Sequence, residues 1–300
     1  MENILKLDRI EQYGRQLQCP TLHPLVNVID FSQCPVAEHI RFCLGFYAVF
    51  LKDVRCGDMS YGRLTYDYQE GTLVFIAPGQ CVGFDNRGVK FQPKGWGLLF
   101  HPDLLRGTPL GRDIRRYTFF SYEVHEALHL SEQERRTIVG CLHNIRRELQ
   151  QPADDHSRKL IVGNIEMLLN YCVRFYDRQF VTRSAAAGSD VLTRFEGILD
   201  EWFRPDAPQR DGLPTVQHCA QRMHLSANYF GDLIKRLTGK TAQEHIRMRL
   251  VDAAKERIAN PAQSIAQVAY DLGFKYPAHF SRLFKREVGC TPNQYRLRLG

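Results

Sequence analysis

The chain has 300 residues, 44% of them hydrophobic and 24% charged, the balance of a globular protein of about two domains at roughly 100–200 residues each. No run of about 18 apolar residues is present, and Met1-Glu2-Asn3-Ile4-Leu5-Lys6 lacks the basic-then-apolar order of a signal peptide, so no membrane partner and a cytoplasmic location are expected. The net charge of +7 is uneven: residues 213–300 hold fourteen Lys and Arg against six Asp and Glu, a net +8, leaving −1 for residues 1–212. A basic excess confined to one segment directs that segment toward a polyanion.

Nine cysteines, at 19, 34, 43, 56, 81, 141, 172, 219 and 290, are odd in number and scattered, without a C-x-x-C pair. Neither a disulfide framework nor a zinc knuckle is expected, and most read as buried small hydrophobes. No P-loop or dinucleotide fingerprint occurs, so nucleotide hydrolysis finds no support.

Residues 25–100 carry strand signals, among them the runs Arg41–Phe50 and Thr72–Ile76, broken by Gly and Pro at 57, 62, 71, 78, 79, 88, 93, 95 and 97. Short strands at this spacing predict a small barrel or sandwich. After Pro109 the pattern lengthens to helical periods. Ser131 with Glu134 forms a capping box for a helix through Leu149, and a second helix is expected from about His156 to Phe180. Arg183–Ser189 reads as a loop before a helix over Asp190–Phe203, and 204–212, with two prolines, Gly and charges, reads as a linker. The predicted domains are therefore 1–203 and 213–300, joined by 204–212.

The second domain repeats itself. Val216, Ala220, Met223 and Leu225 recur 49 positions on as Ile265, Ala269, Leu272 and Phe274; Phe230, Leu233, Lys235, Arg236, Gly239 and Thr241 recur 50 on as Phe280, Leu283, Lys285, Arg286, Gly289 and Thr291. Each copy predicts two helices around a sharp turn. In the first, Thr215 caps a helix to about Met223 and Ser226 caps the next, to Thr238, with Gly239 as stop. In the second, Ser264 and Gln267 make a capping box, Gly273 supplies the turn, and a helix runs from about Pro277 to Val288. Phe230, Leu233, Ile234 and Leu237 make one apolar face; Phe280, Leu283, Phe284 and Val288 make its counterpart. The opposite faces carry Ser226, Asn228, Tyr229, Asp232, Lys235 and Arg236 in one copy, and Tyr276, Ala278, His279, Arg282, Lys285 and Arg286 in the other. These are the candidate contacts to double-stranded DNA. Between the copies, Thr241–Ala259 reads as a helix opened by a Thr241/Glu244 capping box. At about 1.5 Å per residue it spans roughly 28 Å, near the roughly 34 Å of one DNA turn.

Gly273-Phe274, Phe280-Ser281-Arg282-Leu283-Phe284-Lys285, Gly289-Cys290-Thr291-Pro292 and Tyr295-Arg296 make residues 213–300 resemble the DNA-binding domain of the AraC/XylS family of bacterial transcription regulators. Residues 20–200, around Gly71-Thr72-Leu73 and Pro78-Gly79-Gln80, resemble more loosely that family's cupin-like sensor. The resemblance implies an α+β chain: a cupin-like β-barrel with dimerisation helices, then an all-α domain with two helix-turn-helix motifs joined by a linking helix. It also implies a homodimer, a small-molecule effector, base contacts from the first half of each recognition helix, and a contact with RNA polymerase. Asn228 suits adenine, Arg282 guanine and Asp232 a cytosine amine; an acid at 232 departs from the family pattern.

His23, Phe46, Tyr61, Tyr66 and Trp96 are the candidate lining of an effector site, mostly apolar with a few polar anchors. His101-Pro102-Asp103 has the order of a 2-His-1-carboxylate iron site. Where metal cupins often place a second histidine, after Gln80, this chain has Cys81-Val82-Gly83. No metal, cofactor or enzyme activity is expected. The expected function is a DNA-binding transcription regulator, most simply an activator, under effector control. The alternatives are a ligand-independent regulator with a structural barrel and a metal-cupin enzyme fused to a DNA-binding module.

Overall fold

The apolar run Arg41–Phe50 is not one strand, because the chain changes sheets at Gly45. Gly45 N–H donates to Leu7 O at 2.8 Å, and a Cβ at this position would lie 2.9 Å from Asp8 Cα. Only glycine lets strand β1 (Ile4–Leu7) approach so closely, and the run divides into β3 (Ile40–Leu44) and β4 (Tyr47–Lys52). The computed structural model describes residues 4–35, 40–52, 58–61, 64–67, 71–85, 94–122, 126–204 and 212–298. It divides into two units, Met1–Gln179 and Phe180–Gly300.

The other strands of the first unit are β2 (Val26–Asp30), β5 (Asp58–Tyr61), β6 (Leu64–Asp67), β7 (Thr72–Ile76), β8 (Cys81–Asp85), β9 (Gly95–Phe100) and β10 (Leu128–His129). They form two five-stranded sheets, ordered β1-β3-β8-β5-β6 and β10-β7-β4-β9-β2. Strand β1 runs parallel to β3, and the other pairs are antiparallel. No pairing among the described residues joins the sheets, so the expected barrel is not closed. Alternation aims Phe42, Leu44 and Val82 of one sheet at Ile29, Phe50 and Val74 of the other, with Tyr13 of α1 (Ile10–Gln16) among them. The second sheet is also covered on its outer side. Phe75 meets Phe119 at 4.3 Å and Tyr176 at 6.1 Å between ring centroids. All five positions of β7 are buried for this reason, and Thr72–Ile76 reads as a continuous apolar run.

The helical layer contains α2 (Pro102–Leu105), α3 (Pro109–Asp113), α4 (Glu132–Leu149) and the start of α5 (Ser157–Trp202). The Ser131/Glu134 capping box is present, and the Glu134 carboxylate also accepts from Arg178 Nε of α5 at 2.7 Å. Gln179 completes the short edge strand β10: its Oε1 accepts from His129 N–H at 2.8 Å and its Nε2 donates to Ala127 O at 3.2 Å. Backbone groups that a two-residue strand leaves open are thereby paired under cover.

Two sequence expectations change here. The 183–189 loop is helical, α5 running from Ser157 to Trp202; Ala185-Ala186-Ala187 carry the strongest helix propensity and outweigh Gly188. The structure also pairs Cys19 with Cys34 and Cys43 with Cys81 as disulfides, with Cα separations of 5.9 and 4.0 Å. Sequence spacing does not display that strand register sets Cys43 opposite Cys81. Cys141, Cys172, Cys219 and Cys290 are the buried free thiols expected, and Cys56 lies outside the described residues.

In the second unit, α6 (Val216–Arg222) and α7 (Ala227–Thr238) make the first helix-turn-helix, and α9 (Ile265–Asp271) and α10 (Pro277–Val288) make the second. Between them runs α8 (Ala242–Ile258), and α11 (Pro292–Leu297) follows. The end of α5 belongs to this unit. Phe195, Ile198 and Leu199 share a core with Cys219, Phe230 and Ile234, and Phe203 joins the second core with Phe280 and Phe284. By contacts the chain divides at 179/180, and most of 204–212 lies outside the described residues.

Candidate nucleic-acid interface

The two helix-turn-helix copies have the same internal construction. Ala220 and Ala269, both 0% exposed, sit where the helices of each pair cross. Each turn closes with an N–H to the alanine carbonyl, Leu225 to Ala220 at 2.9 Å and Phe274 to Ala269 at 3.0 Å. The residue before each is left-handed, His224 at φ 58° and Gly273 at φ 88°. Both recognition helices end on a left-handed glycine, Gly239 and Gly289. Thr215, Ser226, Thr241 and Ser264 all accept from the backbone N–H three residues on. Gln267 does not return the bond to Ser264: its side chain donates to Asp271 Oδ1 at 2.8 Å, so that box is half made. Thr291 and Gln294 form a complete box with Pro292 at the first helical position, a signal for α11 that the sequence reading passed over.

The spacer fixes the geometry. Helix α8 gives Ala242 and Ile246 to the first core and Leu250, Ala253, Ala254 and Ile258 to the second. Arg257 clamps its far end, donating to Phe203 O at 3.0 Å and to Asp271 O. One rod of 17 residues, about 26 Å at about 1.5 Å per residue, thus holds both recognition helices at a set spacing.

On α7, Asn228, Lys235 and Arg236 are exposed, Asp232 is half-buried, and Ser226 serves as the cap. Tyr229 is a correction: it is 1% exposed, its ring 5.1 Å from Phe180 at 66°. Position 229 lies on the same helical flank as Phe230 and Leu233, and Phe180 covers it, so it does not belong to an open reading face. On α10, Ala278, His279, Arg282, Lys285 and Arg286 are exposed. Tyr276 precedes the helix, 63% exposed, its ring edge-on to His279 at 5.4 Å. Arg286 is partly neutralised by Glu287 at 2.7 Å. Away from these faces, Arg222 and Arg249 are held by Glu201 and Asp200, each at 2.7 Å.

The candidate effector residues do not converge. Phe46 is 0% exposed within the inter-sheet core. Trp96 lies on the outer side of its sheet, edge-on to His143 of α4 at 4.7 Å with Arg146 over its ring. His23 Nδ1 accepts from Leu25 N–H at 3.1 Å, and burial lowers its pKa. Tyr61 and Tyr66 stand on β5 and β6; their side chains lie outside the described residues. His101 is the cap of α2: its Nδ1 accepts from Asp103 N–H at 3.2 Å, and the Asp103 carboxylate pairs with Arg106 at 2.6 Å. Among the described residues no three His, Cys, Asp or Glu stand together as a metal site, and no helix is long and apolar enough to cross a membrane.

Two helix-turn-helix units on one spacer, each with an outward basic face, define a double helix-turn-helix DNA-binding protein. A sequence profile described as a helix-turn-helix domain matches residues 219–298. The regulatory protein SoxS of Salmonella typhimurium is 32% identical over 101 residues, covering 34% of this chain and 92% of SoxS. The transcriptional activator RhaS of Salmonella schwarzengrund is 26% identical over 165 residues, 55% of this chain and 54% of RhaS. Among solved structures, apo ToxT of Vibrio cholerae is similar at 12% identity over 92% of this chain and 97% of that one, with a TM-score of 0.31. The chain belongs to the AraC/XylS family of transcription regulators. These relatives are regulators rather than enzymes, and the chain spans about half the length of the curated relatives it first matches.

Proposed function

We propose that this chain is a cytoplasmic transcription regulator that reads about one turn of DNA with α7 and α10. The observation that carries the reading is the shared spacer: α8 is built into both cores, so the two basic faces are presented as a pair. Asn228, Asp232, His279 and Arg282 are the base-reading side chains, because each stands in the first half of its recognition helix. Lys235, Arg236, Lys285 and Arg286 serve phosphates, which supply affinity without sequence choice. Residues 1–179 act as a cupin-like sensor and dimerisation unit, and the DNA-bound chain contacts RNA polymerase as an activator. A homodimer is supported by α5, whose Leu160, Met167 and Val173 are 50, 41 and 40% exposed beside a groove of about 400 Å³ lined by Gly163, Glu166, Tyr171 and Arg174.

One observation favours a second reading, a ligand-independent regulator whose sandwich is a scaffold. Phe46, Phe50 and Tyr13 pack into the space between the sheets, at 0, 1 and 3% exposure. A thermal-shift screen of small molecules against the full chain separates the readings, because a ligand that binds the folded state raises its stability with occupancy. A saturating shift that changes operator affinity supports effector control; none across sugars, lipids and aromatic acids supports the scaffold.

A further inference from the structure

Eight described cysteines fall into two groups. Cys141, Cys172, Cys219 and Cys290 are buried and free, and burial pushes the thiols of Cys141 and Cys172 up and that of Cys219 to about 11. Such thiols are poor nucleophiles. The other four stand in pairs, and the pairs differ in access. Cys34 is 4% exposed in the inter-sheet core, and Cys19 packs against that core. Cys43 and Cys81 lie on the outer face of the first sheet, because alternation turns Phe42, Leu44 and Val82 inward. Cys81 is exposed and Cys43 half-buried.

The register holds this outer pair together without the sulfur bond. Cys43 faces Cys81 across β3 and β8, Cα to Cα 4.0 Å, and the neighbouring Leu44 N–H donates to Gln80 O at 3.1 Å. On the parallel strand β1, Lys6 stands at the register position of Cys43, its side chain 77% exposed and its ammonium 3.5 Å from the Asp8 carboxylate. The thiolate is the attacking species in disulfide exchange, and only Cys81 of the pair is open to an incoming disulfide.

We propose that Cys43 and Cys81 form a reversible thiol switch that responds to small-molecule disulfides, whereas Cys19 and Cys34 do not exchange in the folded chain. The Cys81 thiolate attacks one sulfur of the oxidant and releases its other half as a thiolate. The Cys43 thiolate then attacks the Cys81 sulfur and releases the second half. Two protein thiols become one disulfide, one small-molecule disulfide becomes two thiols, and the two protons pass to the released thiolates. An exposed pair of this kind rests open in a reducing compartment and closes under oxidation. The resting state rests on the cytoplasmic reading above; the exchange chemistry does not.

The test uses the purified full chain in glutathione buffers of graded ratio, with differential alkylation and peptide mapping and no DNA present. The expected result is that Cys43 and Cys81 close and reopen together as one linked peptide while Cys19 and Cys34 keep their starting state. Cys43→Ser traps a mixed disulfide with glutathione on Cys81, and Cys81→Ser leaves Cys43 far less reactive. Independent alkylation of Cys43 and Cys81 at every ratio would overturn the proposal, as would exchange of Cys19–Cys34 at the same rate. Because either serine variant can perturb the sheet, circular dichroism is recorded for each, and the wild-type kinetics alone decide if both unfold.

Discussion

Phe195 stands edge-on to Phe230, ring centroids 5.0 Å apart at 83°. Phe230 belongs to the first recognition helix, and Phe195 lies on α5, before the stretch 204–212 that composition marks as a linker. The core beneath the first reading face is therefore completed by a helix outside the repeat. A fragment of 190–300 is expected to melt well above one of 213–300 and to bind the same DNA more tightly. Phe195→Ala in the longer fragment costs about 3–5 kcal/mol in urea denaturation. A loss below about 1 kcal/mol would show that α5 is dispensable to this core.

Arg282 and Lys285 share α10 and both are exposed, yet different losses are expected. Arg282 stands in the first half of the helix and Lys285 in the last turn. Arg282→Ala weakens binding by about 1–3 kcal/mol and relaxes preference at one base pair. Lys285→Ala lowers affinity alike on specific and random duplexes and reduces the salt slope by about one. Titrations by fluorescence anisotropy at several salt concentrations measure both. A uniform loss for Arg282→Ala would reassign it to a phosphate.

The spacer opens with Thr241, whose hydroxyl and N–H both donate to Glu244, the N–H bond at 2.6 Å. Those two bonds hold the Glu244 carboxyl below its ordinary value of 4.5. A depressed carboxylate gives stability that is present above the unfolded value and lost as pH falls through the folded one. Thr241→Ala is expected to cost about 1 kcal/mol at neutral pH. It also makes the acid-side fall in melting temperature, below about pH 5, shallower than in the wild type. An unchanged acid limb would mean that Glu244 keeps its depression without the hydroxyl.

What could be read from the residues was local or periodic. Ser131, Thr215, Ser226, Thr241 and Ser264 announce their helices because a short oxygen-bearing side chain before an apolar period has one use. The repeat shows through because Ala220/Ala269 and Gly239/Gly289 are set by close crossing and by left-handed backbone, which few residues satisfy. What stayed hidden depends on distant neighbours. Tyr229 reads as exposed until Phe180, 49 positions earlier, covers it. Cys43 and Cys81 become a pair only when β3 and β8 fix their register. Phe46 and Trp96 share an aromatic character but point to different layers, one between the sheets and one under α4.

Gln179 offers a test of the first unit. It is 4% exposed and serves both backbone groups of the β10 edge. Gln179→Leu keeps the volume but leaves His129 N–H and Ala127 O without that partner. The expected cost is about 1–3 kcal/mol for each group left unpaired under cover, read by denaturation of the full chain, with faster hydrogen exchange at His129. A neutral substitution would show that water reaches this edge.

Helices α7 and α10 are proposed to read DNA as a fixed pair, held by α8. The direct measurement is selection of the full chain against a random duplex pool, followed by hydroxyl-radical footprinting on the winning sequence. The expected result is two protected patches on one face of the duplex, roughly 10 base pairs apart, both lost selectively when about 5 base pairs, half a turn, are inserted between them. Binding that selects no sequence, or a footprint that tolerates the insertion, would contradict it.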